Sequence, residues 1–500
     1  MTIELSIEEL PQPSLQFGGA TQQTDPKIGL EVAGPFDLRF GSARKNAIFV
    51  GLIGPENEVK LAQNWLIRCS KKIIFSGSTS LLHRSFPSFP GAFHKTLEFG
   101  ENGTVLLPGG KLDELADRMT KPDRFAKFQE IIDLYANALE TLAKRDTNRP
   151  DVVLVCLPKS VSLKARNVDR QFSRTEKKAV RKIEKQLSMR QLELFDLAEE
   201  VEQTKEDFIR RDLRHALKAR ALSLRLPIQL VTTSLTEDSK HNQDAATRAW
   251  NFSVGLYYKS GGVPWRLPIS QLETCFVGIS FHHFRTTQRH IVHSSLAQAF
   301  SSEGEGFAIR GEGVPADPHQ RRDTKLTEQQ AMLLGTMVLE EYRSRTGGEP
   351  LRLIIHKTSE FNEAEIAGFR EALKGIPIVS MVTLIPSSFR LLRFGAYPPN
   401  VGTICTVNSD RTFLYTSGYM PSLGTYPGPH IPQPFEVRCF GDYHPEEAVR
   451  DILNLTRMNW NTADVRAKWP VTLSFARRVG GILDEFGEEP PVESSLRYFM

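Results

Sequence analysis

Arg214 and Lys218 stand four residues apart in a stretch, Phe208 to Leu224, whose apolar spacing predicts a helix, so both cations fall on one helix face. Like charges on one face repel. The pair is therefore either splayed into water or arranged to hold an anion such as phosphate. Gln229 follows eleven residues after Lys218, on the strand expected from Pro227 to Thr232. Lys259 closes a second expected helix, Asp244 to Lys259, before Gly261 and Gly262 stop it. A lysine in a last helical turn also complements the helix dipole without any ligand. Taken singly, each of these residues has an ordinary structural explanation.

Other groups capable of chemistry form weaker patterns. His282 and His283, adjacent on an expected strand, point their rings to opposite faces, and His290 follows seven residues later without an acid partner, which fits no usual zinc spacing. Glu303 and Glu305 lie in a glycine-punctuated turn, Ser301 to Gly306. Arg390 and Arg393 flank Leu391 and Leu392, where they face either water or a phosphate backbone. The five cysteines are scattered, odd in number and free of any Cys-x-x-Cys pair. That excludes a disulfide framework and a thiolate zinc site, and fits a reducing cytoplasm.

The elements that must position these residues alternate. Ala47 to Gly54 reads as a buried strand, Glu56 to Ile67 as a helix, Lys71 to Phe75 as a strand, Lys127 to Lys144 as a helix and Asp151 to Pro158 as a strand. Beyond the Gly261-Gly262 stop come a strand at Cys275 to Phe281, a helix at Lys325 to Thr346, a central strand at Leu351 to His356 and a helix at Glu363 to Leu373. Pro470 to Leu483 reads as extended at first and then helical. This is an α/β chain of two or three units, consistent with 500 residues of which 40% are hydrophobic. The boundary is expected near 260, giving a first domain over 1–260, with an extended N-terminal piece, and a second over 261–500.

Charge is concentrated in an insert at about 160–207, where ten basic residues between Lys164 and Arg190 face three acids before an acidic run from Glu193 to Asp207. It is either a solvated helix pair or a phosphate-facing surface. The net charge of +4 permits nucleic-acid binding without establishing it. There is no apolar run of about eighteen residues to cross a membrane, and the acidic start does not read as a secretion leader.

The stretch from Asp207 to Gln229, with Lys259, resembles the guide-anchoring region of an Argonaute MID domain. In that family an aromatic or histidine, a lysine four residues on, a glutamine after the proline and a later lysine hold the 5′-phosphate and first base of a guide. The resemblance carries these roles to Arg214, Lys218, Gln229 and Lys259. Arg214 departs from the pattern, although a planar guanidinium can stack on a base or grip a phosphate. The family also places a divalent cation between guide phosphates and the carboxylate of the last residue. Carried over, Met500, at the end of the apolar tail Leu496 to Met500, would bind magnesium in a structural role.

Gly261 to Leu267 and Cys275 to Ser280 resemble the opening of a PIWI domain. The implied fold is a Rossmann-like MID domain followed by an RNase-H-like PIWI domain. Where cutting members carry carboxylates, Ser280, Lys357 and Arg477 stand here. A serine and two cations cannot hold a pair of magnesium ions, so the resemblance implies an inactive centre. No room remains for separate N-terminal and PAZ domains, as in short prokaryotic members that pair with an APAZ-containing effector of TIR, sirtuin-like or nuclease class. The implied role is recognition of invading single-stranded DNA by guide RNA, which switches on that partner in prokaryotic immunity. A magnesium-dependent guided endonuclease and a non-enzymatic scaffold with a basic surface are the alternatives.

Overall fold

The computed structural model describes residues 3–75, 77, 83–120, 124–169, 210–239, 242–268, 272–285, 290–300, 306–311, 313–315, 325–392, 394–395, 397–426, 431–441, 445–486 and 493–500. For 167–169, 210, 282–285, 290–300, 313–315, 476–478 and 484 it describes the backbone alone. The charged insert lies almost wholly outside the described residues, as do Glu303, Glu305 and Arg393.

A first strand, β1 (Leu5–Glu9), precedes five that form a parallel sheet: β2 (Ala47–Gly54), β3 (Thr96–Glu98), β4 (Thr104–Leu106), β5 (Val152–Cys156) and β6 (Ile228–Val231). Their order is β6-β5-β2-β3, with β4 also on β2. The apolar runs Ala47–Gly54 and Val152–Cys156 are uninterrupted because a parallel sheet is covered on both faces. Among the helices of this half are α1 (Glu56–Cys69), α2 (Arg124–Ala143), α3 (Leu213–Ser223) and α4 (Ala245–Lys259). Pro55 precedes α1, whose first turn carries Glu56 and Glu58 and whose last carries Arg68, each favourable to the helix dipole. Between Lys71 and Phe75 the expected strand reduces to a bridge of Ile73 with Phe86.

The second sheet has ten strands. To β1 it adds β7 (Thr274–Arg285), β8 (His290–Phe300), β9 (Gly306–Ile309), β10 (Gly313–Pro315), β11 (Arg352–Lys357), β12 (Ile378–Pro386), β13 (Thr403–Val407), β14 (Arg411–Leu414) and β15 (Phe435–Gly441). The order is β1-β13-β14-β15-β12-β11-β7-β8-β9, with β10 on β8. The central pairs β7–β11 and β11–β12 are parallel and the others antiparallel. Helices α5 (Glu328–Thr346) and α6 (Glu363–Ala372) cover one face, and α7 (Val471–Leu483) crosses the other. The chain ends in a short turn of helix, α8 (Leu496–Phe499). No helix among the described residues is long and apolar enough to cross a membrane.

Two features link the two halves. The N-terminal piece does not stay with the first half: β1 pairs with β13 from Leu5–Val407 to Glu9–Thr403, and Gln16 bridges Arg266. One apolar core also spans the boundary, joining Val50 and Leu52 of the first sheet to Ile354 and Val382 of the second through Trp250 and Tyr257. Ser260 caps α4, and the helix before it lies in this shared core. This is why 13 residues of α4 are buried, Lys259 included.

The segment expected to begin extended is helical from Val471, with the Leu473 and Ser474 amides donating to Pro470 O, each at 3.0 Å. Packing overrides the β-branched propensity of Val471 and Thr472. The helix reaches the sheet at Gly278, where an added Cβ would stand 2.0 Å from Thr472 O and 2.4 Å from Thr472 C. Because backbone cannot swing aside, Gly278→Ala is expected to destabilise the protein by about 1–3 kcal/mol, read from chemical denaturation of the variant.

Candidate nucleic-acid interface

Helix α3 begins at Asp212, whose Oδ1 accepts from the Arg214 amide at 2.8 Å and the His215 amide at 3.2 Å. One turn on, Lys218 is 2% exposed. Its Nζ donates to Phe499 O at 2.7 Å and to the Met500 oxygen. The chain end is thus held on α3 by a buried lysine, and Leu496, Phe499 and Met500 are themselves buried. α8 packs against both α3 and α4. His215 lies elsewhere, against Gly481 of α7, where an added Cβ would meet its ring at 2.4 Å.

Gln229 lies on β6 and Lys259 is the last residue of α4. Lys259 Nζ donates to Gln229 Oε1. Lys259 is 4% exposed, and burial, followed by repulsion from Arg214, pushes its pKa down to about 7. Arg214 keeps a solvent-exposed surface, while desolvation by the surrounding protein lowers its pKa against the opposing pull of Asp212. Arg214, Gln229 and Lys259 therefore come together, and Lys218, on the same helix as Arg214, ties in the chain end.

Two further polar groups join this junction. Arg497 on α8 has its Nε buried without a hydrogen-bond partner among the described residues, donates through Nη2 to Tyr498 Oη at 2.9 Å, and places Nη1 3.3 Å from where a Cβ on Gly261 would lie. Asn461 has a buried Nδ2 without a hydrogen-bond partner among the described residues, and its main-chain oxygen is 4.0 Å from a Cβ built on Gly255, one turn before Lys259. Sequence reading missed both. Arg497 had a signal in its place within the tucked tail, whereas Asn461 is brought in by a long-range contact alone.

The buried charge of Lys259 makes the pocket sensitive to pH. Near pH 7 the side chain is half neutral, and a bound anion favours its charged form, so binding takes up a proton as pH rises above 7. Affinity for a terminal phosphate is expected to fall by up to about tenfold per pH unit between pH 7 and 9. In Lys259→Gln that slope should vanish, as measured by titrating labelled RNA across pH. For folding the sign is opposite. A lysine whose pKa is depressed in the folded state destabilises it below pH 7, and stability is recovered as pH rises toward the unfolded value of 10.5.

The second candidate centre lies on β7 and β11. Their parallel register pairs Gly278 with His356 and Ile279 with Lys357. Side chains alternate, so Ser280 shares a face with His356, toward α7, and Lys357 occupies the opposite face. Lys357 and Ser280 therefore do not share a face of the sheet. Lys357 is 1% exposed and donates to both Glu365 oxygens at 2.7 Å, an ion pair that fastens α6 to the sheet. His356 takes its place on the Ser280 face. Its Nδ1 is 3.0 Å from Thr472 Oγ1, its Nε2 is buried without a hydrogen-bond partner among the described residues, and burial pushes its pKa down to about 3, so the ring is neutral at physiological pH. Arg477 lies in the middle of α7, described by its backbone alone. The same holds for His282, His283 and His290, where His282 pairs with His293 and Arg285 with His290. Arg390 is half-buried and donates to Ser387 O at 2.9 Å and Phe389 O at 2.8 Å, which ties it to its own loop.

Among the anchor residues the oxygen donors are the Met500 terminus and Gln229 Oε1, and each already accepts from a lysine. The cations Arg214, Lys218 and Lys259 suit an anion, whereas these two oxygens do not. Magnesium fits beside Met500 only where phosphate oxygens complete its shell.

No protein-family model and no curated protein matches this sequence. Solved structures do. Clostridium butyricum Argonaute bound to a guide DNA and a 19-mer target DNA superposes with TM-score 0.60 at 14% identity, covering 96% of this chain and 53% of its own. Drosophila Piwi gives 0.59 at 12%, covering 99% and 56%, and A. aeolicus Argonaute 0.54 at 15%, covering 98% and 55%. The chain thus spans about half the length of each of these proteins. The fold of this chain is Argonaute-like, a Rossmann-like MID unit followed by an RNase-H-like PIWI unit.

Proposed function

We propose that this chain is a guide-binding recognition protein: it captures the 5′-phosphate of a guide RNA at Arg214, Lys218, Gln229 and Lys259, and uses the guide to find complementary single-stranded DNA. The observation that carries the reading is Lys259, a buried cation whose partner among the described residues is the neutral Gln229 amide. A buried ammonium without a counter-charge is costly, and a phosphate entering beside Arg214 supplies the missing negative charge. Magnesium, when bound beside Met500, would add a further positive charge against the guide phosphates. Sequence choice then comes from base pairing, while the protein recognises the guide end and the backbone.

In this reading the PIWI centre binds without cutting. Ser280 and the neutral His356 share one face, and neither supplies the anionic oxygens that a two-metal phosphodiester cleavage requires. Target recognition would be passed to a partner effector carrying an APAZ region, in defence against invading DNA. Guide-loaded protein given magnesium and complementary single-stranded DNA is expected to retain the DNA and release no product of defined length. A product cut at a fixed distance from the guide 5′ end would show that this chain is a nuclease. Recovery of the protein without short nucleic acids would favour a scaffold instead.

A further inference from the structure

β1 forms one edge of the ten-stranded sheet, with β13 on one side and, among the described residues, no strand on the other. All five of its residues are exposed. The pairing fixes which backbone groups face outward. Asn408 N donates to Glu4 O at 2.9 Å and Leu10 N to Gly402 O at 3.0 Å, so the even-numbered residues exchange hydrogen bonds with the β13 side. The alternation of an antiparallel ladder then turns the N–H and C=O groups of Leu5, Ile7 and Glu9 toward the open edge. Side chains alternate as well. Ile3, Leu5 and Ile7 lie on one face, 67%, 56% and 58% exposed, and Glu4, Ser6 and Glu8 on the other. Edge strands are normally blunted by lysine, proline or a bulge, and β1 has none of these.

We propose that β1 is the docking edge for a β-strand of a partner polypeptide whose apolar residues alternate with lysine or arginine. Such a strand would complete the outward hydrogen bonds, cover Leu5 and Ile7 with its apolar side chains, and set its cations opposite Glu4 and Glu8. Charge disfavours a second copy of this chain in one register, whereas a register centred on Leu5 would set Glu4 opposite Ser6 without that repulsion, and the oligomeric state measured below decides between the two occupants. In the antiparallel register centred on Ser6, Glu4 and Glu8 of one copy would face Glu8 and Glu4 of the other, and β1 carries no cation to relieve them. The proposal deepens the reading above, in which this chain works through a partner protein, by naming the surface and the chemistry of the segment it receives.

The test uses the full chain and two labelled nine-residue peptides, one alternating valine with lysine and one alternating valine with glutamate, followed by fluorescence anisotropy. The lysine peptide is expected to bind saturably and the glutamate peptide at least tenfold more weakly. Ile7→Pro removes one outward N–H while leaving the bonds to β13, so it should weaken the lysine peptide by tenfold or more with the melting temperature unchanged. Leu5→Lys, which keeps the backbone, should do the same by removing the apolar contact and setting a charge against valine. No binding, equal binding of both peptides, or binding indifferent to both variants overturns the proposal. So does a dimer of the chain alone that Ile7→Pro dissolves, which would assign the edge to a second copy. Titrating the same variants with 5′-phosphorylated RNA separates the two readings: RNA affinity should be untouched by Ile7→Pro, and failure of the wild type to bind RNA counts against guide capture alone.

Discussion

Replacing both Lys218 and Lys259 by alanine is expected to weaken binding of 5′-phosphorylated RNA by about two to four powers of ten. Each lysine contributes a charge-assisted hydrogen bond worth about 1.5–3 kcal/mol, so losing two costs about 3–6 kcal/mol. The salt dependence should flatten in parallel, by about 0.7 in log-log slope per phosphate contact removed. RNA with a 5′-hydroxyl is the internal control, since it lacks the anion both lysines serve. Its affinity should be nearly the same for wild type and variant, and the variant should no longer distinguish the two RNA ends. Because Lys218 also holds Phe499 and Met500, the double variant could loosen the chain end. That effect lowers both affinities together, whereas loss of the phosphate contact lowers only one. Undiminished preference for the 5′-phosphate in the double variant would remove Lys218 and Lys259 from the site.

The parts of this site that were legible in the sequence are those set by short-range periodicity. Arg214 and Lys218 share a face because α3 is a helix, and Lys259 ends α4 because Gly261 and Gly262 follow it. The resemblance then joined Gln229 to Lys259, and the two side chains do meet. What could not be read was which face of a buried strand a residue occupies. Arg352-Leu-Ile-Ile-His-Lys357 lies in the middle of a sheet covered on both sides, so its hydrophobic pattern does not alternate and His356 and Lys357 are indistinguishable by period. Nor could the course of β1 be read. Its partner is some 400 residues away, and an isolated run Leu-Ser-Ile-Glu-Glu says only that it is extended. The main chain of Asn461 reaches Gly255 of α4 in the same way, through a contact between distant segments.

Breaking the Lys357–Glu365 pair should have the largest effect on stability. Glu365 is 0% exposed, binds Lys357 through both oxygens, and also accepts from the Leu326 amide at 3.0 Å and the Asn362 amide at 3.1 Å. Its own amide donates to Asn362 Oδ1 at 2.8 Å, so one carboxylate caps α6, anchors the segment before α5 and neutralises a lysine of the central sheet. Glu365→Gln keeps the shape and removes the charge, leaving the Lys357 ammonium buried against a neutral amide. The expected cost is about 3–5 kcal/mol, measured by chemical denaturation. Lys357→Met alone should also destabilise, whereas Lys357→Met with Glu365→Gln should recover part of the loss, because no isolated buried charge remains. The same pair of variants decides what Lys357 is for. A cation that touched the target strand would weaken target binding when removed, however well the fold was repaired. A cation on the far face of the sheet from Ser280 would not, and the repaired double variant is expected to hold guide and target RNA–DNA pairs with wild-type affinity. Weakened target binding in a stably folded double variant would instead place Lys357 in the nucleic-acid channel.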